Sequence, residues 1–197
     1  MAIVISADEI KKELKGYTPN LAEKFHAESA KMADQEFEKE IKNTSYKEII
    51  LVCGGSASGK SEFLATQLAD RESVIFDGTL SSTKRAERKL KKIIKESKTP
   101  IIYAVIPDDL KRAFIAFLRR DRKFRDTHFY RTHSSSRKTL LWIALNYPKV
   151  EINIVESSYT SSKGLQFIRI KLDNRQKLIE YLIGLQMTED DIIKQTI

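Results

Sequence analysis

Gly54-Gly55-Ser56-Ala57-Ser58-Gly59-Lys60-Ser61 has the spacing Gly-x-x-x-x-Gly-Lys-Ser, a pattern suited to gripping phosphate groups. Glycines at 54 and 59 allow backbone conformations and close approaches that a side chain blocks, so successive N–H groups can turn toward one anion. A helix starting near Lys60 adds the positive end of its dipole and its free N–H groups. In such loops the lysine reaches the outer phosphates and the Ser hydroxyl ligates magnesium, which assigns those roles to Lys60 and Ser61. A Gly/Ser-rich turn with a chance lysine is the bland alternative. The flanks argue against it, because the apolar run Ile49-Ile50-Leu51-Val52-Cys53 leads in and a helix-forming segment follows.

Carboxylates and guanidiniums supply the other chemistry. Asp77 closes the apolar run Val74-Ile75-Phe76, and beside a phosphate loop it can orient magnesium through water. Buried without a partner it would be costly, so something must neutralise it. Asp8 follows Ile3-Val4-Ile5, where a helix N-terminus alone also favours an acidic residue. Arg119, Arg120, Arg122, Arg125 and Arg131 crowd one polar stretch. Guanidinium forks stabilise charge spread over phosphoryl oxygens, while any single arginine reads equally well as solvated surface. His26, His128 and His133 lack metal-ligand spacing, and Trp142 lies on a helix as a core residue.

These groups need a scaffold. Short β-branched or apolar runs at 3–5, 49–53, 73–77, 101–106, 150–155 and 167–171 read as strands, with helical patterns between most of them. Ser6 with Glu9 is a capping-box signature, and Thr188 with Asp191 suggests a short terminal helix. A long helix is expected from Asn20 to about Lys42, and 119–136 reads as an Arg-rich connection without hydrophobic period. Alternation of strands and helices predicts an α/β, three-layer P-loop NTPase/kinase fold with a mostly parallel central sheet of about five strands. Ligand loops in such sheets lie at the strands' C-terminal ends, where Asp8, the phosphate loop, Asp77 and the residues after Ile106 all fall.

The 197 residues are expected to form a single domain, with a strand and helical segment at 1–45, a P-loop core and lid at 46–156, and a C-terminal strand and helices at 157–197. One cysteine, Cys53, excludes a disulfide framework and fits a reducing cytosol. The apolar run at the start is too short for a signal peptide or membrane span, so a cytoplasmic protein is expected. A net charge of +8 invites a nucleic-acid reading, but polyphosphate handling also needs positive charge. No segment interleaves aromatic and basic residues as nucleic-acid binders do.

Val74-Ile75-Phe76-Asp77-Gly78-Thr79-Leu80, a crossover helix, Tyr103-Ala104-Val105-Ile106-Pro107 and an Arg-rich lid resemble the second half of the zeta toxin family. Those are P-loop kinases of toxin–antitoxin systems that phosphorylate UDP-N-acetylglucosamine. The family's strand ending in a catalytic Asp, with its long helical stretch, is missing after the P-loop helix here. The segment from Ile3 to Lys11, with Tyr17-Thr18-Pro19-Asn20 and the helix after it, looks like that piece moved to the front. A circular permutation requires the 3–5 strand to pair beside the 74–77 strand. The resemblance implies Asp8 as general base, Thr79 as a substrate contact and lid arginines at Arg119 or Arg120 and at Arg131. Where the family has Glu, this chain has Asp77. It implies ATP or GTP with Mg²⁺, a small hydroxylated acceptor such as UDP-N-acetylglucosamine, and an antitoxin partner. The rival readings are a nucleotide-gated nucleic-acid-binding protein and a non-catalytic ATP-binding relative.

Overall fold

The structure is a computed structural model describing residues 1–197. Six strands form one sheet: β1 (Ile3–Ser6), β2 (Glu48–Cys53), β3 (Val74–Asp77), β4 (Thr99–Pro107), β5 (Glu151–Thr160) and β6 (Gly164–Ile170). Their spatial order is β1-β3-β2-β4-β5-β6. The first five run parallel, and β6 returns antiparallel on β5 as a hairpin. All six runs read as strands join this sheet, against the total of about five expected. Ile3 pairs with Val74 and Ser6 with Asp77, which is the pairing that a permuted order requires.

Alternation along β2 explains the layers. Ile49, Leu51 and Cys53 face a core shared with α2 (His26–Asn43), α4 (Thr83–Lys95), α6 (Asp126–Asn146) and α7 (Arg175–Gly184). Ile50 and Val52 face Phe63, Leu64 and Leu68, which follow the phosphate loop in α3 (Lys60–Phe63) and a π-helical turn (Leu64–Leu68). Buried on both faces, these central strands read as continuous apolar runs, as parallel sheets do. A third cluster joins α5 (Leu110–Leu118) to Phe129 of α6 and Ile192 of α8 (Glu189–Thr196). No helix is long and apolar enough to cross a membrane.

Three local expectations are revised. After a 3-10 turn at Pro19–Leu21, α2 begins only at His26. Ser6 caps α1 (Ala7–Glu13) by accepting from the Asp8 N–H, while Glu9 pairs with Lys12 instead of closing a capping box. The third revision matters most, because the polar segment from 126 onward is helical, continuous with the helix expected from 137. Its buried positions His128, Phe129, Thr132, His133, Ser136, Arg137 and Leu140 do recur at helical spacing. A hydrophobic count misses them because the partner of this face is a polar loop.

Candidate functional site

The phosphate loop is tied in from three sides. Gly54 has φ of 138°, and a methyl group there would overlap the Val105 carbonyl oxygen. A methyl at Gly55 would overlap the His133 ring, so α6 lies directly on the loop. Thr132 Oγ1 accepts from the Ser56 N–H at 3.1 Å, and His133 Nε2 is 2.9 Å from the Ser56 carbonyl. That carbonyl can only accept, so Nε2 carries the proton and Nδ1 is left to accept from Arg137 Nη1 at 3.3 Å. Burial, reinforced by the Arg137 charge, pushes His133 down to about 3, so the ring is neutral. From β5, Ser157 donates to the Ser58 carbonyl at 2.8 Å.

Lys60 opens α3 and curls over the loop, donating to the Gly54 and Gly55 carbonyls at 3.2 and 2.9 Å. Burial lowers its pKa, against the pull of the Asp77 carboxylate. Asp77, at the C-terminal end of β3, shows the mirror effect. Burial raises its pKa, Lys60 opposes, and the Asp8 charge adds to the rise.

One cleft gathers Asp8, Ser56, Lys60, Ser61, Asp77 and Thr79. It encloses about 750 Å³, solvent-open space included. Asp8 enters from the first turn of α1, placed there by the parallel pairing of β1 with β3. Its Oδ1 accepts from Lys11 Nζ at 3.0 Å, and its Oδ2 meets Arg122 Nη1 at 2.5 Å. Burial alone would raise the Asp8 pKa, but Arg122 and then Lys11 outweigh it and hold the carboxyl below its ordinary range. Lys11 is fully buried, with its ammonium 5.0 Å from the centre of the Phe124 ring.

Among the expected arginines, Arg120 lines the cleft, whereas Arg119 and Arg131 are exposed and outside its lining. Burial lowers the Arg120 pKa, helped by the neighbouring Arg122. Gly54, Gly55, Ala57, Ser58 and Gly59 form the loop's backbone and do not line the cleft. Arg122, Lys11, His26, Phe124 and His128 complete the cleft region. His128 stacks on Phe124 with ring centres 4.3 Å apart, and burial pushes it down to about 4. Burial likewise lowers His26, with the Lys11 charge adding to it. The wall of His26, Phe124 and His128 is therefore aromatic and neutral, beside two carboxylates (Asp8, Asp77) and four cations (Lys11, Lys60, Arg120, Arg122). Arg122 belongs to the arginine cluster singled out in the sequence, and the Asp8–Lys11 spacing of three, one turn of helix, is a local signal for Lys11.

The cleft fits a magnesium–polyphosphate pair. Asp77 Oδ1 is buried without a hydrogen-bond partner, and Ser61 lines the same space. No group of three His, Cys, Asp or Glu side chains forms a protein-only metal cage. Magnesium needs none, since it binds through one or two carboxylates, phosphate oxygens and water.

No protein-family model matches the chain, and no curated protein does. Solved structures are similar in fold. AvrRxo1-ORF1:AvrRxo1-ORF2 with sulphate ions superposes with a TM-score of 0.53 at 9% identity, covering 85% of this chain and 73% of that one. The same pair of proteins with ATP gives a TM-score of 0.51 at 9% identity over the same shares.

Proposed function

We propose that this chain is a zeta-toxin-like, magnesium-dependent phosphotransferase that moves the γ-phosphate of ATP or GTP to a hydroxyl of a small metabolite. The observation that carries this reading is the convergence of Asp8, Lys60, Ser61 and Asp77, from three separate parallel strands and their following loops, on one cleft. A fold-level likeness to a protein crystallised with ATP supports the nucleotide. That likeness is to two-protein complexes, which supports an antitoxin-like partner. Pairing of β1 with β3 supports a circular permutation relative to the zeta toxins. In keeping with the continuous sheet, residues 1–197 are read as one kinase domain.

Each side chain has a task. Loop N–H groups and Lys60 hold the β- and γ-phosphates. Ser61 and Asp77 would hold magnesium, which neutralises charge on the phosphate oxygens when bound. Asp8 accepts the proton of the acceptor hydroxyl as the new bond to phosphorus forms. Arg120 and Arg122 face the transferring group, where planar guanidiniums match its equatorial oxygens. Arg119 and Arg131 could join them only through movement of the 119–125 bend or of α6. Thr79 sits beside Asp77 on the acceptor side. UDP-N-acetylglucosamine is the acceptor that the zeta-toxin resemblance suggests.

On α4, Arg85, Arg88 and Lys89 share the single carboxylate of Asp34, and Lys92 meets Glu38. No aromatic residue interleaves the basic positions of this helix, which favours the kinase over a nucleic-acid-binding reading. The test is incubation with γ-labelled ATP and a panel of nucleotide sugars, beside Asp8→Asn. Transfer should drop by roughly 10²–10⁴-fold in the variant while nucleotide binding persists. No transfer to any acceptor, or full transfer by Asp8→Asn, removes the proposal.

A further inference from the structure

Arg137 is a buried cation without an anion. Its side chain lies on the α6 face that meets the sheet, and the residue is 5% exposed. Nη1 donates to the His133 carbonyl at 3.0 Å and approaches His133 Nδ1 at 3.3 Å. Nε is buried and has no partner. The neighbours supply no negative charge near neutral pH. Burial pushes the Cys53 thiol up to about 12, and burial also raises the Tyr181 hydroxyl. Arg137 itself, lowered by burial only to about 10, stays protonated. An unpaired charge in a fold's interior is among the most costly arrangements a protein can carry.

The guanidinium borders a small cavity between the ends of β2 and β4, lined among others by Cys53, Gly54, Gly55, Pro107 and Ser136. Arg137 is its only ionised lining group, and the space admits about one water-sized particle. A water there would satisfy the Nε–H but leave the charge uncompensated. Room for about one such particle favours a monatomic anion over a tetrahedral oxyanion or a carboxylate. We propose that this cavity is a binding site for one monatomic anion of chloride's size, held by the Arg137 Nε–H behind the phosphate loop. The site is separate from the cleft of Asp8 and Lys60 and does not depend on the phosphotransferase reading.

Thermal unfolding of the full chain tests it, with potassium gluconate exchanged for potassium chloride or bromide at constant ionic strength. The expected result is a rise in Tm that grows with the logarithm of halide concentration above the dissociation constant, roughly 3–6 °C at about ten times that constant. Arg137→Met should lose that rise. A chain of net charge +8 also attracts anions loosely at its surface, and a halide effect that survives Arg137→Met overturns the proposal. Crystals of the unaltered chain soaked in bromide provide a reading that needs no variant. An anomalous peak within hydrogen-bond range of Arg137 Nε supports the site, and water alone at that position sinks it.

Discussion

Arg122 Nη1 rests 2.5 Å from Asp8 Oδ2, so an arginine of the lid already occupies one oxygen of the carboxylate proposed as proton acceptor. The other oxygen belongs to Lys11. Held by two cations, the carboxylate is a weak base despite the opposing effect of burial. On the proposed mechanism, proton transfer to Asp8 asks Arg122 to exchange the carboxylate for the transferring phosphoryl group, whose three equatorial oxygens carry the charge in the transition state.

Arg122→Ala should move the acid limb of the pH–rate profile to higher pH. The base works only when ionised, and losing its strongest cationic neighbour raises its pKa. A limb that stays in place would show that Arg122 does not govern Asp8.

Gly55→Ala should destabilise the fold by about 1–3 kcal/mol through overlap with the His133 ring. His133→Ala removes that obstacle, so the double variant should be more stable than the sum of the single losses allows. Urea unfolding of all four proteins measures the coupling, and strict additivity would place the strain elsewhere.

Asp34→Ala should cost about 3–5 kcal/mol, because Lys89, only 4% exposed, loses the carboxylate that compensates it. Replacing both residues, as Asp34→Leu with Lys89→Met, should recover most of the loss. If the double variant unfolds as readily as the single one, the pair is not the origin of the effect.

Acid should weaken the fold well before carboxylates titrate. His128 and His133 lie near 4 and near 3 in the folded chain, against 6.5 ordinarily. Both are neutral when folded and take up protons on unfolding. Their stabilising contribution is complete above pH 6.5 and falls, by about 1.4 kcal/mol per pH unit for each, as the pH drops toward the folded values. His26, also lowered by burial, adds to the slope, so His128→Phe should remove roughly a third to a half of it in Tm or urea-midpoint measurements between pH 6.5 and 4.5.

The central strands and the phosphate loop were legible because both rest on local rules, apolar runs and glycine placement. The position of Asp8 was not local. Nothing in Ile3-Val4-Ile5 announces Val74-Ile75-Phe76 as a neighbour, and the pairing came from a resemblance that the β1–β3 register now matches. What escaped reading is polar: α6 buries Thr132 and His133 against a loop of backbone amides, so its inner face lacks the hydrophobic period that marks a core helix. Arg122 escaped for a different reason. Among five arginines of similar surroundings, only folding back over α1 distinguishes the one that reaches Asp8 from Arg125, which pairs with Glu23 outside the cleft.

β1 is stitched to the sheet along one side only, through β3, while the loop proposed to grip phosphate springs from β2, flanked on both sides. Strands at a margin peel before those in the middle. On the proposed mechanism, turnover and grip are consequently separable in this molecule. Gentle warming or dilute urea will silence the one while sparing the other, and amide protons of residues 3–6 will exchange with solvent long before those of 49–53.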